Sequence, residues 1–291
     1  METTRPLARP ASLEQPLPGA GTVSWKLHCE VALVLGWGRA ILLQFAHPLV
    51  ASGVADHSSF RQYLGRLGRL YQTLDRMLRL TFGTEEEIAS IVRVINAIHD
   101  RVHGRTREPA GIFPSGTPYS AHDPALLRWV HATLLDSQLL AYELYVGPLT
   151  SEEKNRYCEE TSAMEPLLGM PLGYLPRSLA ALHSYLEAML RSREIVVTDT
   201  ARMLAREVLA PPSLRIAAPL LWFLRLQSVG LLPPQIREAY GLPWDSRLEG
   251  ARNLSAWTVR TMLPLVPSVV RYWPSAREAL RATDRMRVRA N

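Results

Sequence analysis

Cysteine is nearly missing from this chain: Cys29 and Cys158 are the only two in 291 residues, far apart and in no C-x-x-C spacing. That excludes a disulfide framework, a cysteine-built zinc site and a covalent C-x-x-C-H haem attachment. Two unclustered thiols fit a reducing compartment. Lysine is equally scarce, since Lys26 and Lys154 are two of 33 basic residues and the rest are arginine. The net charge is +6 and the pI near 9.6. The arginines are scattered among matching acids, however, and only the tail "RATDRMRVRAN" is locally basic. With no zinc-finger or RNP-type motif beside it, nucleic acid is not the expected partner. A weak attraction to an anionic membrane surface is compatible with the charge.

Long apolar runs are also lacking. The opening "METTRPLARPASLEQPLPGAGT" has no signal-peptide h-region, so residues 1–22 read as a flexible arm and the expected location is cytoplasmic. The most apolar stretch is "VALVLGWGRAILLQFA" (31–46). It falls short of the ~20 residues of a membrane span and contains Arg39, so it reads as a buried central helix.

What the sequence does have is helix punctuation. "TEEE" at Thr84–Glu87 is a capping box, opening a helix expected to run to His103 and stop at Gly104. "DPALL" places Asp123 as N-cap and Pro124 at the first helical position of a helix through about Tyr145. "TSEE" at Thr150–Glu153 repeats the box for a helix to about Leu168. Ser178, Thr198 and Ser213 precede further apolar-periodic runs, "PPQIREAYG" reads as a short helix closed by Gly241, and "SRLEGARNLSAWTVRTML" as another before Pro264. Strand alternation is nearly absent. The expectation is an all-α, single-domain multi-helix bundle over 23–265, followed by a basic helical tail at 266–291.

Histidines carry the functional question. In "RVINAIHDRVHGR", His99 and His103 stand four apart. On one helix, Ile88, Ile91, Val92, Ile95, Ile98 and Val102 form an apolar stripe with His99 near its middle and His103 at its edge. His99 is therefore expected to be buried, and His103 to meet solvent or cap the last carbonyls. The zinc-protease pattern H-E-x-x-H fails because Asp100 stands where the glutamate base belongs. On position alone, a lone buried histidine is more often a hydrogen-bonded core residue than a ligand. An axial haem ligand is the functional alternative, since haem takes one imidazole from an apolar wall. His131, in "LRWVHATLLDSQ", repeats the pattern on a second apolar helix. His47 precedes a proline and marks a helix exit. Asp56, His57 and Ser58 read as caps for the helix that follows.

In order and spacing, "GRAILLQFAHPLVASGVADHSSF", "RLYQT", "FGTEEE", "IHDRVHG" and "WVHATLLDS" together resemble the catalytic domain of the rubber oxygenase family. That family includes latex-clearing proteins and the fungal MpaB-type oxygenase. The resemblance extends from about Trp25 to about Trp244 through "YCEE", "LLGMPLGYLP" and "LLPPQIREAYGLPW". It implies a globin-like core holding non-covalent haem b, with O2 as co-substrate and an apolar alkene or prenyl-type molecule as substrate. It implies His99 as the axial iron ligand, with His103 as second choice, and His131 as a further cofactor contact. The R-x-x-x-T motif is matched by Arg69 and Thr73, which would stand near the oxygen-binding face. Two features run against this. Arg69 falls opposite the stripe Phe60, Leu64, Leu67, Tyr71, Leu74 and Leu78, so it belongs to a site only if that helix is buried on both faces or broken near Gly65 and Gly68. The rubber-cleaving members carry a lysine where this chain has Gln72, which points to a smaller substrate than polymer. No general base stands out; Glu165 and Asp56 are candidates no better than a surface acid and a cap. The rival readings are a zinc-dependent helical enzyme using His99 and His103, and a non-catalytic haem- or lipid-binding helical protein.

Overall fold

The computed structural model describes residues 19–57, 63–210 and 218–290, with side chains except at 63–71, 73, 284 and 286–290. Its helices are α1 (Val23–His28), α2 (Val34–Phe45), α3 (Pro48–His57), α4 (Tyr63–Phe82), α5 (Glu85–His99), α6 (Pro124–Tyr145), α7 (Ser151–Thr161), α8 (Leu179–Arg191), α9 (Asp199–Leu209), α10 (Ala218–Gly230), α11 (Pro234–Ala239), α12 (Ser246–Met262), α13 (Ser268–Arg271) and α14 (Pro274–Ala290). A two-stranded antiparallel hairpin, β1 (His103–Arg105) with β2 (Pro118–Ser120), joins α5 to α6. Among the described residues the regular structure is helical apart from that hairpin and two isolated bridges, and the sequence pattern did not signal the hairpin.

The apolar run becomes the central helix. α2 packs against α6, α10, α9 and α3, and Leu42, Leu43 and Phe45 are buried in the main core with Trp129, Leu135 and Tyr145 of α6. Close approach is set by two glycines. A Cβ on Gly36 would lie 2.6 Å from the Ser137 carbonyl oxygen, and one on Gly38 would overlap the Ser228 hydroxyl. The break at Ala46–His47 turns the chain by 103° into α3, so His47 does mark the helix exit. Among the described residues no single helix is long and apolar enough to cross a membrane.

Capping chemistry places most helix starts where the sequence put them. Thr84 and Thr150 form both halves of their capping boxes with Glu87 and Glu153. Asp123 accepts from Ala125 N, with Pro124 following it. Ser178 and Thr198 cap α8 and α9, and Gly241, at φ +67°, closes the stretch after α11. Ser213 and residues 1–18 of the expected arm lie outside the described residues, whereas Thr22 caps α1.

Two boundaries are corrected. α5 ends at His99, four residues early: its last backbone bonds are Asp100 N to Asn96 O and Val102 N to His99 O, after which the chain extends into β1. Gly104 is therefore not a helix cap. It pairs with Tyr119, whose hydroxyl would be 2.5 Å from any Cβ at that position. α7 ends at Thr161 and continues to Leu168 only as two 3₁₀ turns, because Pro166 has no N–H to extend the helix. His57 is itself the last described residue of a helix, α3, and Ser58 lies outside the described residues.

A second, smaller core joins α1 and the end of α4 to α14. Trp25, Cys29, Phe82 and Ala276 pack with Leu78 and Trp273. Arg271 grips the buried Glu30 carboxylate through Nε at 2.9 and 3.0 Å and through a second, shorter guanidinium contact. Both cysteines are buried and free, and burial pushes their thiols up to about 11, which makes them unreactive at neutral pH.

A candidate oxygenase site in an apolar cavity

A cavity of about 720 Å³ lies between α1, α3, α4, α5, α6 and α7, within the ~300–1,000 Å³ range of small-molecule and cofactor sites. Its wall is predominantly aliphatic, including Leu49, Val54, Leu80, Ile95, Ile98, Val130, Leu134 and Leu135. His99 and His131 both line it.

His99 stands on the last residue of α5, only partly buried. Among the described residues neither of its ring nitrogens has a hydrogen bond, and Nδ1 is buried without a partner. Its ring meets that of His122 edge-on, 5.7 Å between centroids, and His122 Nε2 bonds Asp100 at 2.7 Å. Burial and the neighbouring His122 hold its pKa below the ordinary imidazole value, against the pull of Asp100. His131, on α6, also has a buried nitrogen, Nε2, with no partner. Burial drives its pKa down to about 4, with the Glu165 carboxylate opposing. Both rings are thus neutral bases at pH 7, the form in which imidazole binds a metal.

His103 is separated from this pair. It lies on exposed β1, its ring beside that of His57 at 6.4 Å between centroids, so the i, i+4 pairing that suggested a shared metal is not made. Among the described residues no group of three or more His, Cys, Asp or Glu side chains could hold a metal ion. Neither candidate base is free. Glu165 is fully buried and accepts from Gly173 N (2.8 Å), Leu175 N (2.5 Å) and Arg177 (3.0 Å). Asp56 accepts from Tyr119 Oη at 2.7 Å and Arg107 at 2.8 Å. It ties α3 to β2, and among the described residues it caps no helix.

The side chains of Arg69 and Thr73 lie outside the described residues. Their helix is not broken: α4 runs through Gly65 and Gly68. It is covered on two sides. Leu78 joins the Trp25–Phe82 cluster, while Gln72, Arg76, Met77, Leu80 and Thr81 line the cavity.

The polar residues the sequence reading passed over come from α1, α6 and α7. Burial drives the pKa of His28 down to about 4. Its Nε2 lies 2.8 Å from Gln138 Oε1 and 2.9 Å from Tyr157 Oη, and its Nδ1 lies 3.0 Å from Thr81 Oγ1. Tyr157 also donates to Gln138. His28 closes a six-residue helix too short for periodicity to reveal a face, and its partners are 53, 110 and 129 residues away.

Residues 25–262 match the family model described as ER-bound oxygenase mpaB/B'/Rubber oxygenase, catalytic domain. The chain belongs to that family. The match runs from Trp25, the third residue of α1, to the end of α12. No curated protein and no solved structure matches the chain. As a member of an oxygenase family it is read as an oxidoreductase.

Proposed function

We propose that this mpaB/rubber oxygenase-family protein is a haem b-dependent oxygenase that uses O2 to oxygenate or cleave an apolar alkene or prenyl-type molecule. The observation that carries the reading is His99: a neutral imidazole without a hydrogen bond, on the wall of a cofactor-sized aliphatic cavity. A buried imidazole nitrogen left without a partner, as Nδ1 is here, is costly, and a ligand that takes its lone pair removes that cost. The donor set fits non-covalent haem in kind, because it offers a free imidazole, that of His99, in an apolar surround.

In this reading His99 holds the iron, and the bound haem supplies the redox chemistry with O2. His131 faces the same cavity from α6 as a second neutral imidazole. The aliphatic wall binds the hydrocarbon and excludes water. Arg69 and Thr73 are assigned a role beside the bound oxygen on the strength of their R-x-x-x-T spacing. Residues 69, 73, 76 and 80 share one stripe of a 3.6-residue repeat, and Arg76 and Leu80 belong to the cavity wall. Gln72 leaves no lysine ammonium near that stripe, which favours a smaller substrate than rubber polymer.

The test is an absorption spectrum with pyridine haemochrome assay on wild type, His99→Ala and His103→Ala. A Soret band lost in His99→Ala and kept in His103→Ala is expected, together with O2 uptake on adding alkenes. Colourless wild-type protein after expression with ample haem contradicts the reading.

A further inference from the structure

The polar side chains of the cavity are not spread evenly. On α6, His131 and Gln138 are seven residues apart, two full turns on one face, which separates them by roughly 10 Å along the helix axis. Both line the cavity, with Leu134 and Leu135 between them. Around Gln138 gather His28 and Tyr157, each bonded to it and to the other, with Thr81 bonded to His28. Ser24, one turn before His28 on α1, lines the same end. It is 2% exposed, and its hydroxyl has no hydrogen-bond partner. The Glu160 carboxylate beside it is already committed, accepting from Val23 N at 3.1 Å and Ser24 N at 2.7 Å.

A hydrocarbon site has no use for this. A buried hydroxyl without a partner is unfavourable, and an aliphatic side chain would serve a purely apolar ligand better. We propose that Ser24, His28 and Gln138 form a recognition subsite for a neutral oxygen group, a hydroxyl or carbonyl, at one end of an otherwise hydrocarbon substrate. The subsite would fix which part of the chain lies two helical turns away, beside His131. It rests on the reading of the cavity as the substrate site.

The charge pattern selects a neutral group over a carboxylate. Glu160 places a negative charge next to Ser24. His28 is kept uncharged at neutral pH by its burial. Lys26, on the same helix, is tied to Glu153 at 2.6 Å. Among the described residues the cation on the cavity wall is Arg76 of α4, which contacts Gln72 on its own helix at 3.4 Å. The charge beside Ser24 is the Glu160 carboxylate, so an anionic head at this end would meet repulsion.

The test is calorimetric titration of the full-length protein with 9-decen-1-ol, 1-decene and 9-decenoate, in wild type, Ser24→Ala and Gln138→Leu. Wild type is expected to bind the alcohol about tenfold more tightly than either the hydrocarbon or the acid anion. Ser24→Ala removes no existing hydrogen bond and should fold normally. It should lower affinity for the alcohol by about three- to tenfold while leaving the hydrocarbon unchanged. Gln138→Leu should abolish the alcohol-to-hydrocarbon ratio, a quantity read within one variant and so independent of its stability. Equal affinities for alcohol and hydrocarbon in wild type, an unchanged ratio in Ser24→Ala, or no binding of any of the three overturns the proposal. Haem content and O2 uptake, measured separately, tell failure of the oxygenase reading apart from failure of the subsite.

Discussion

Arg39 places a guanidinium inside the core, where its Nε donates to Leu231 O at 2.8 Å, one amine to Ser137 Oγ at 2.7 Å and the other to Asp136 at 2.5 Å. Its side chain is 8% exposed and that of Asp136 is 15% exposed, so neither charge can turn to water if the other is removed. Arg39→Ala is expected to cost about 3–5 kcal/mol in urea unfolding. The double variant Arg39→Met, Asp136→Leu should recover most of that loss, since it leaves no orphaned charge. In the sequence the same arginine argues only against a membrane span, and its partners, 97, 98 and 192 residues away, leave no local trace. His99 is the reverse case: its helix and stripe were legible locally. Its lack of hydrogen bonds was not, because that depends on what the neighbouring helices do not offer.

At the scale of elements, α2 is held by small residues as much as by apolar ones. Gly36→Ala puts a methyl against the Ser137 backbone carbonyl at 2.6 Å and the Ala141 methyl at 2.9 Å. Backbone cannot rotate away as a side chain can. A net loss of about 1–3 kcal/mol is expected in spite of alanine's better helix propensity. Gly250→Ala on α12, where nothing lies within 4 Å, should instead be neutral or stabilise by up to ~1 kcal/mol. Urea midpoints for the two variants check both signs. α5 teaches the complementary lesson. Its apolar stripe continues to Val102, yet the helix stops at His99, because Val102 O accepts from Ala121 N and residues 103–105 pair with 118–120. Periodicity cannot distinguish a last helical turn from an extended residue that presents its side chain to the same cavity.

For the molecule as a whole, buried imidazoles set the response to acid. His28, His47 and His131 are each driven down to about 4, chiefly by burial. In the unfolded chain a histidine titrates near 6.5. Between pH 6.5 and 4 the unfolded state therefore binds protons that the folded state refuses, and stability falls as pH falls through that window. Each such histidine contributes a slope of about 1.4 kcal/mol per pH unit at most. His183 acts in the opposite sense, since its hydrogen bond to Asp136 raises its pKa, but it is about half exposed and its effect is screened. The cofactor-free protein should show a thermal midpoint that declines steadily from pH 6.5 to 4.5; a flat midpoint over that range contradicts the burial of these rings.

The order of helices, their N-caps at Thr84, Asp123, Thr150, Ser178 and Thr198, and the buried course of α2 follow from the sequence by itself. Capping and amphipathic burial are local rules that act within a few residues. The histidine to examine first, His99, was also legible there. Only the tertiary structure decided that His103 stands apart from it, that α4 is covered on two sides, and that Ser24, His28, Gln138 and Tyr157 meet at one end of a cavity. Those outcomes depend on which helix faces are brought together across 50 to 130 residues of chain, and no local pattern encodes a pairing at that distance.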